Sequence, residues 1–209
     1  MASRKRRTAA RPRLTKHDVI AAALRLLDSD GIEALSMRRL AAELGIEAMS
    51  LYSHVDSKDA LLTSVLDLAI EELPVPSPAD GDWKDWVRAW MQGARQVFSN
   101  HPNLFHVIRS GTALGPGVLG KIDALMARLH AAGFDSPAQL RIWHLLRAYL
   151  FGTLTEETIS SSRMSLGDLM ACCPHLVPVL TTQHCCDSGL LFGEGLEVIL
   201  AGITTARRA

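Results

Sequence analysis

The sequence predicts an all-α fold in two parts, and three observations carry that prediction. Apolar residues recur three and four positions apart along most of the chain, the spacing of one helix face. Several of these runs open on Ser or Thr and close on Gly, the residues that cap helices. No stretch alternates apolar and polar residues as a half-buried strand would.

Thr15 can cap the first helix, with Asp18 three residues on at a favourable N-terminal position. Val19, Ile20, Ala23, Leu24 and Leu27 follow at helical spacing, and Gly31 ends the run. Ser36 caps a second helix carrying Met37, Leu40, Ala41 and Leu44, which Gly45 stops. A third is expected over residues 47–54, and Ser57 caps a fourth that runs through Leu61, Leu62, Val65, Leu66, Leu68 and Ala69 to Leu73. PVPSPADGD, residues 74–82, is a proline-rich break. Helices resume over 83–100 and 103–109. The glycine-rich SGTALGPG then leads to another over 117–132, ended by Gly133. Ser136-Pro137 reads as a cap with proline in the first turn, opening a long helix to about Ser160. The last helix spans 189–205.

With 48% hydrophobic and 21% charged residues in 209, the chain has the composition of a folded globular protein. Net charge is zero but unevenly spread. Residues 1–58 hold 11 Lys/Arg against 7 Asp/Glu, and residues 59–209 hold 11 against 15. The basic end favours phosphate. No apolar run approaches the ~18 residues of a membrane span. The basic start MASRKRRTAARPR has no apolar segment behind it, so it does not read as a secretion signal. A cytoplasmic location with reduced cysteines is the expectation, with no membrane partner.

Two short helices around Gly45 form a helix-turn-helix unit, with Leu40, Ala41, Leu44, Ile46 and Leu51 as its small core. The helix over 47–54 is too short to stand alone, so its neighbours must brace it. A helix held this way can enter a DNA major groove. Ser36 can offer its hydroxyl or N–H to a phosphate, beside Met37 in the same turn, and Arg38 can reach a phosphate or a guanine edge. Tyr52, His54 and Lys58 are further phosphate contacts. Ala48, Met49, Ser50 and Ser53 stand nearest base edges, where Ala48 and Met49 make only apolar contacts. The arm over residues 1–13 is read as disordered and basic, and seven Lys/Arg with no acid in positions 1–16 add affinity for the duplex.

Residues 15–62 resemble the DNA-binding domain of the tetracycline-repressor (TetR) family. The resemblance lies in the Gly31 turn, Ser36-Met37-Arg38-Arg39-Leu40-Ala41, Leu44-Gly45-Ile46, Leu51-Tyr52-Ser53-His54-Val55 and Lys58-Asp59-Ala60-Leu61-Leu62. Looser similarity to the C-terminal domain of the tetracycline-repressor branch lies in Asp82-Trp83, Ser99-Asn100-His101, Gly111-Thr112, Gly133-Phe134 and Phe192-Gly193-Glu194-Gly195-Leu196. The resemblance implies a dimeric repressor released from a palindromic operator on double-stranded DNA by a small-molecule inducer. Residues 14–60 are then the helix-turn-helix domain, and 61–209 a ligand-binding and dimerisation domain.

Most of the aromatic surface falls between residues 83 and 151, with polar company. Aromatics at this spacing are often core, but apolar walls with a few polar anchors also describe a small-molecule site. The candidate ligand-binding residues are Trp90, His101, Phe105, Arg109, Trp143, Arg147, Phe151 and Thr155. In tetracycline-binding members, a histidine just before the Gly-Thr pair binds the metal that carries the drug. Arg109 holds that place here, and a guanidinium cannot ligate a cation. A metal-borne tetracycline is therefore not the expected ligand, and no cofactor or metal is assigned.

CCPHLVPVLTTQHCC, residues 172–186, holds soft ligands that make a metal- or thiol-redox-responsive repressor the alternative. Cys172 to Cys186 match no common zinc module, however, and buried or incidental thiols are the plainer reading. The helices over 137–160 and 189–205 carry Gly152, Gly193 and Gly202, which permit close approach in a four-helix dimer interface; ordinary intrachain core is the other reading. No catalytic motif is present, so an enzyme is not expected.

Overall fold

The computed structural model describes residues 14–77, 81–156, 175, 177 and 188–208. Among them run α1 (Lys16–Asp30), α2 (Met37–Leu44), α3 (Ala48–Leu51), α4 (Lys58–Ile70), α5 (Trp83–Asn100), α6 (Leu104–Arg109), α7 (Pro116–Ala131), α8 (Ser136–Glu156) and α9 (Ser188–Arg208), with no strand among the described residues. They fall into two compact units. One comprises Met1–Glu72 and His101–Leu119, the other Leu73–Asn100 and Gly120–Ala209.

In the first unit Thr15 caps α1 as expected, and Asp18 returns the bond to close a capping box. The Asp18 N–H donates to Thr15 Oγ1 at 3.1 Å, and the Thr15 N–H donates to Asp18 Oδ2 at 2.8 Å. The Thr15 hydroxyl, which donates to Asp18 Oδ2 at 2.6 Å, and the Thr15 N–H together hold the Asp18 carboxyl below its ordinary range. Gly31 ends α1 at φ 80, with its N–H on Leu27 O. α1 packs against α2 and α4, burying Val19, Ala23, Leu26 and Leu27. Ser36 caps α2 through the Arg39 N–H, and the helix ends in a Schellman turn. There Gly45 takes φ 65, its N–H reaches Ala42 O, and the Ile46 N–H reaches Ala41 O at 3.0 Å. This left-handed residue is what lets α3 start so soon after α2.

α3 is shorter than the expected 47–54. Beyond Leu51 the chain closes in tighter turns, with the His54 N–H on Leu51 O at 2.9 Å. The Ser53 hydroxyl donates to Ser50 O at 2.7 Å, and such side-chain competition with the backbone discourages a longer helix. Of the expected small core, Leu40, Ala41 and Leu51 are buried while Leu44 and Ile46 are half-buried. Ser57 caps α4, which buries Leu61, Leu62, Val65, Leu66 and Ala69 and stops at Ile70 rather than Leu73.

The second unit is built on α5, whose buried face is Trp83, Trp86, Val87, Trp90, Met91, Ala94, Val97 and Phe98. α8 packs along it. Edge-to-face rings pair Trp90 with Trp143 and Phe98 with Phe151, while Trp83 meets Phe134 ahead of α8. The cap of α8 is Asp135, not Ser136: its carboxylate accepts the Ala138 N–H at 2.8 Å. α9 packs on α8, where Tyr149 stacks on Phe192 and donates its hydroxyl to Phe192 O at 2.8 Å. Burial pushes the pKa of that phenol up. Arg88 on α5 grips both carboxylate oxygens of Glu197 on α9, at 2.5 and 3.0 Å. No helix among the described residues is long and apolar enough to cross a membrane.

Candidate functional site

The helix-turn-helix face is assembled by burying one side of α3 and leaving the other open. Leu51 is 0% exposed and fixes the helix, while Met49 beside it is 77% exposed. Ser36, Arg38, Ser50, Tyr52, Ser53 and Lys58 are also exposed, and Met37, Ala48 and His54 are half-buried. The first unit thus carries all ten of these candidates on α2, α3, the turn after it and the start of α4.

The chemistry of the face is uneven. Arg39 is tied to Asp30 in an ion pair, whereas Arg38 makes none among the described residues and keeps its guanidinium available. Ser36 Oγ accepts the Arg39 N–H, which leaves its hydroxyl proton for a phosphate oxygen. Ser53 already spends its hydroxyl proton on Ser50 O. Met49 and Ser50 thus keep outward side chains uncommitted within the chain, with Tyr52 and Lys58 exposed beside them and Ala48 half-buried.

The candidate ligand residues divide between the units. His101, Phe105 and Arg109 belong to the first, and Trp90, Trp143, Arg147, Phe151 and Thr155 to the second. In the first, His101 lies between two carboxylates, with Nδ1 2.9 Å from Asp28 Oδ2 and Nε2 3.3 Å from Glu72 Oε1. It thereby bridges the end of α1 to the chain just after α4. The Arg109 guanidinium sits over the Phe105 ring, 5.7 Å from its centroid. In the second unit, Trp143, Arg147, Phe151 and Thr155 recur every four residues and form one stripe of α8. Trp143, Phe151 and Thr155 are half-buried and Arg147 is exposed, where its guanidinium meets His144 Nδ1 at 3.2 Å.

Sequence reasoning missed three residues that tie α4 and α1 to the returning chain. Asp67 accepts the Val118 N–H at 3.0 Å, and Thr63, one turn earlier on α4, donates to Ala113 O at 3.1 Å. Asn103 donates to the carbonyls of Leu27 and Asp28 at the end of α1, at 2.9 and 3.3 Å. SGTALGPG was visible as a loop, but only the fold shows that Asp67 is what Gly115 and Gly117 accommodate.

The second unit also holds a cleft of about 410 Å³ between the start of α8 and the end of α9, lined by residues including Phe134, Arg141, Leu145 and Ile203. The Cys172 to Cys186 segment lies outside the described residues except for His175 and Val177. Among the described residues no group of three His, Cys, Asp or Glu side chains could hold a metal.

Comparison with known proteins fits this arrangement. Residues 19–65 match the family described as bacterial regulatory proteins, tetR family, and residues 75–207 match the tetracyclin repressor-like C-terminal domain. An HTH-type transcriptional regulator of Saccharopolyspora erythraea is 31% identical over 202 residues, covering 92% of this chain and 86% of its own length. The class E tetracycline repressor protein of Escherichia coli is 27% identical over 197 residues, 92% of each chain. Among solved structures, the Streptomyces coelicolor TetR family protein ActR in complex with actinorhodin matches with a TM-score of 0.78 at 29% identity, covering 93% of this chain and 99% of that one.

Proposed function

This chain belongs to the tetR family of bacterial regulatory proteins, and from that premise we propose a homodimeric repressor that leaves its operator when a small molecule binds. Each subunit sets α3 into a major groove of a pseudo-palindromic site, with half-sites a whole number of helical turns apart. The observation that carries this reading is the pairing of a fully buried Leu51 with the outward Met49, Ser50 and Tyr52. A four-residue helix is not stable alone, so the fold invests in holding this one open to a partner.

Dimerisation through α8 and α9 is supported by their unpartnered apolar side chains. Leu140 and Leu145 on α8, and Leu190, Leu191 and Val198 on α9, are exposed. Gly152, Gly193 and Gly202 face open space, so a second pair of helices could approach closely there.

A small organic effector is supported by the similarity to ActR, which has been solved with actinorhodin, and by the aromatic stripes of α5 and α8. In the second unit Trp90, Trp143, Arg147, Phe151 and Thr155 are its proposed contacts, and the ligand would have to bind the released dimer better than the DNA-bound one. The chain acts by binding, without catalysis.

The test is selection of an operator from random duplexes, followed by fluorescence anisotropy. Affinity falls as salt rises and is largely lost in the Tyr52→Ala, Lys58→Ala double variant. Full affinity in that variant, or a monomer in sedimentation at the concentration that saturates DNA, contradicts the proposal.

A further inference from the structure

Glu72 is the last residue before the chain leaves the first unit, and His101 is the residue at which it returns. The two side chains meet there, with His101 Nε2 3.3 Å from Glu72 Oε1, while Nδ1 stands 2.9 Å from Asp28 Oδ2 at the end of α1. A carboxylate only accepts hydrogen bonds. A neutral imidazole donates through one nitrogen, so its other nitrogen would turn a lone pair toward an anionic oxygen. The bridge as it stands therefore requires the imidazolium, which donates through both. With its side chain 13% exposed, the ring has little water to turn to instead.

From α1 the charged group facing His101 is Asp28, whose other oxygen, Oδ1, is buried without a hydrogen-bond partner among the described residues. From the chain after α4 it is Glu72. Of the other charged groups on these elements and on α6, Asp30 is engaged by Arg39 and Arg109 lies over Phe105, while Arg25, Glu71 and His106 are exposed. Loss of the ring proton leaves the shorter contact, Nδ1–H on Asp28, and opens the one to Glu72. The α1 side stays held, because Asn103 keeps its bonds to Leu27 O and Asp28 O. What is freed is the end of α4. That helix packs on α1, α1 packs on α2, and α2 packs on α3. Its first residue, Lys58, is a proposed DNA contact and stands about 20 Å of helix away from the clamp.

We propose that His101 is a positioning residue of the DNA-binding head: its proton fastens the end of α4 to α1, and operator affinity falls as the ring is neutralised. This rests on the regulator reading above and adds the proton to the effectors of the same DNA site. The direction is set by the bonds. The clamp is complete at low pH, where the ring carries both protons, and is lost as pH rises through the histidine range.

The experiment sets wild type against Glu72→Gln, whose amide can accept from the imidazolium through its carbonyl and donate to the neutral ring through its nitrogen. Every other histidine, including His54 on the DNA face, is common to both chains and cancels. At fixed salt, wild-type affinity for the selected operator should fall at least about fivefold more than that of the variant between about pH 5.5 and about pH 8.5. On the free wild-type chain, nitrogen-15 spectra of labelled histidine should show both ring nitrogens of His101 protonated at the acid end and only one at the other. The Glu71 and Glu72 N–H groups close α4 on the carbonyls of Asp67, Leu68 and Ala69. Their protection from hydrogen exchange, measured against the intrinsic rate at each pH, should fall over the same range in wild type and not in Glu72→Gln. The spectra and the wild-type protection do not depend on any variant folding. Equal pH slopes in the two chains, wild-type protection indifferent to pH, or a His101 ring with a single proton throughout overturns the assignment. A chain that binds operator with equal slopes refutes this assignment alone. One that binds no duplex at any pH refutes the regulator reading, and the clamp then stands or falls on protection alone.

Discussion

Asp67, half-buried on α4, accepts the backbone N–H of Val118 in the first turn of α7 at 3.0 Å. A side chain from one helix thus caps another that begins about fifty residues later in the chain. The glycines of the loop make room for it. A Cβ on Gly115 would overlap the Asp67 carboxylate, and one on Gly117 would stand 3.0 Å from it. With Thr63 holding Ala113 O, α4 grips the 113–118 loop at two points one turn apart.

Gly115→Ala should therefore displace the carboxylate and cost about 1–3 kcal/mol of stability, since the capped N–H loses its partner. Asp67→Ala should cost about 1 kcal/mol, as loss of a cap does. In the Asp67→Ala background the Gly115→Ala penalty should shrink, because the clashing atoms are gone. Denaturant unfolding of the four chains in a double-mutant cycle checks this, and strict additivity would refute the socket.

The DNA face yields a prediction that separates scaffold from contact. Leu51→Ala should destabilise the fold by about 2–5 kcal/mol and abolish operator binding with it. Met49→Ala, at a side chain 77% exposed, should leave Tm within about 1 °C while weakening binding and relaxing base preference at the site it touches. Lys58→Ala should weaken all duplexes alike and reduce the salt slope by about one.

Asn103 closes the C-terminal end of α1 through two carbonyls. Asn103→Ala should cost about 1 kcal/mol and raise hydrogen exchange in the last turn of α1 before any other part of that helix. Unchanged protection there would show that the carbonyls find other donors.

The Arg88–Glu197 pair gives a pH signature. Arg88 holds the Glu197 carboxyl below its ordinary range, so the charged form is favoured in the folded state. Its contribution is full above the unfolded value and is lost as pH falls through the lowered folded value. The pair is largely exposed, which keeps its worth below about 1 kcal/mol. Glu197→Gln should thus be slightly less stable than wild type at neutral pH, the gap closing below about pH 4. A gap that persists in acid would assign the effect to packing.

What the sequence revealed was local. The Thr15, Ser36 and Ser57 caps and the Gly45 turn each depend on residues within a few positions, and all appear where the pattern put them. The length of α3 was overestimated, because the Ser53 hydroxyl bond that competes with the helix is invisible to periodicity. The cap of α8 was placed one residue late, since Ser136 and Asp135 are equally good capping types. Asp67, Thr63 and Asn103 were missed for a different reason: each bonds a residue 50 or more positions away. The family resemblance pointed to the regulator. It could not show that Trp86 has an acceptor and Trp90 has none.

The compact unit that carries α3 is not one stretch of chain: it takes Met1–Glu72 and then His101–Leu119. A chimera that joins the first stretch to a foreign receptor would strip Asp28 of His101, the α1 carbonyls of Asn103, and Asp67 of the Val118 N–H. Transplanting the recognition head intact means moving both pieces, with the grafted receptor entering as an insert after Glu72 and again after Leu119.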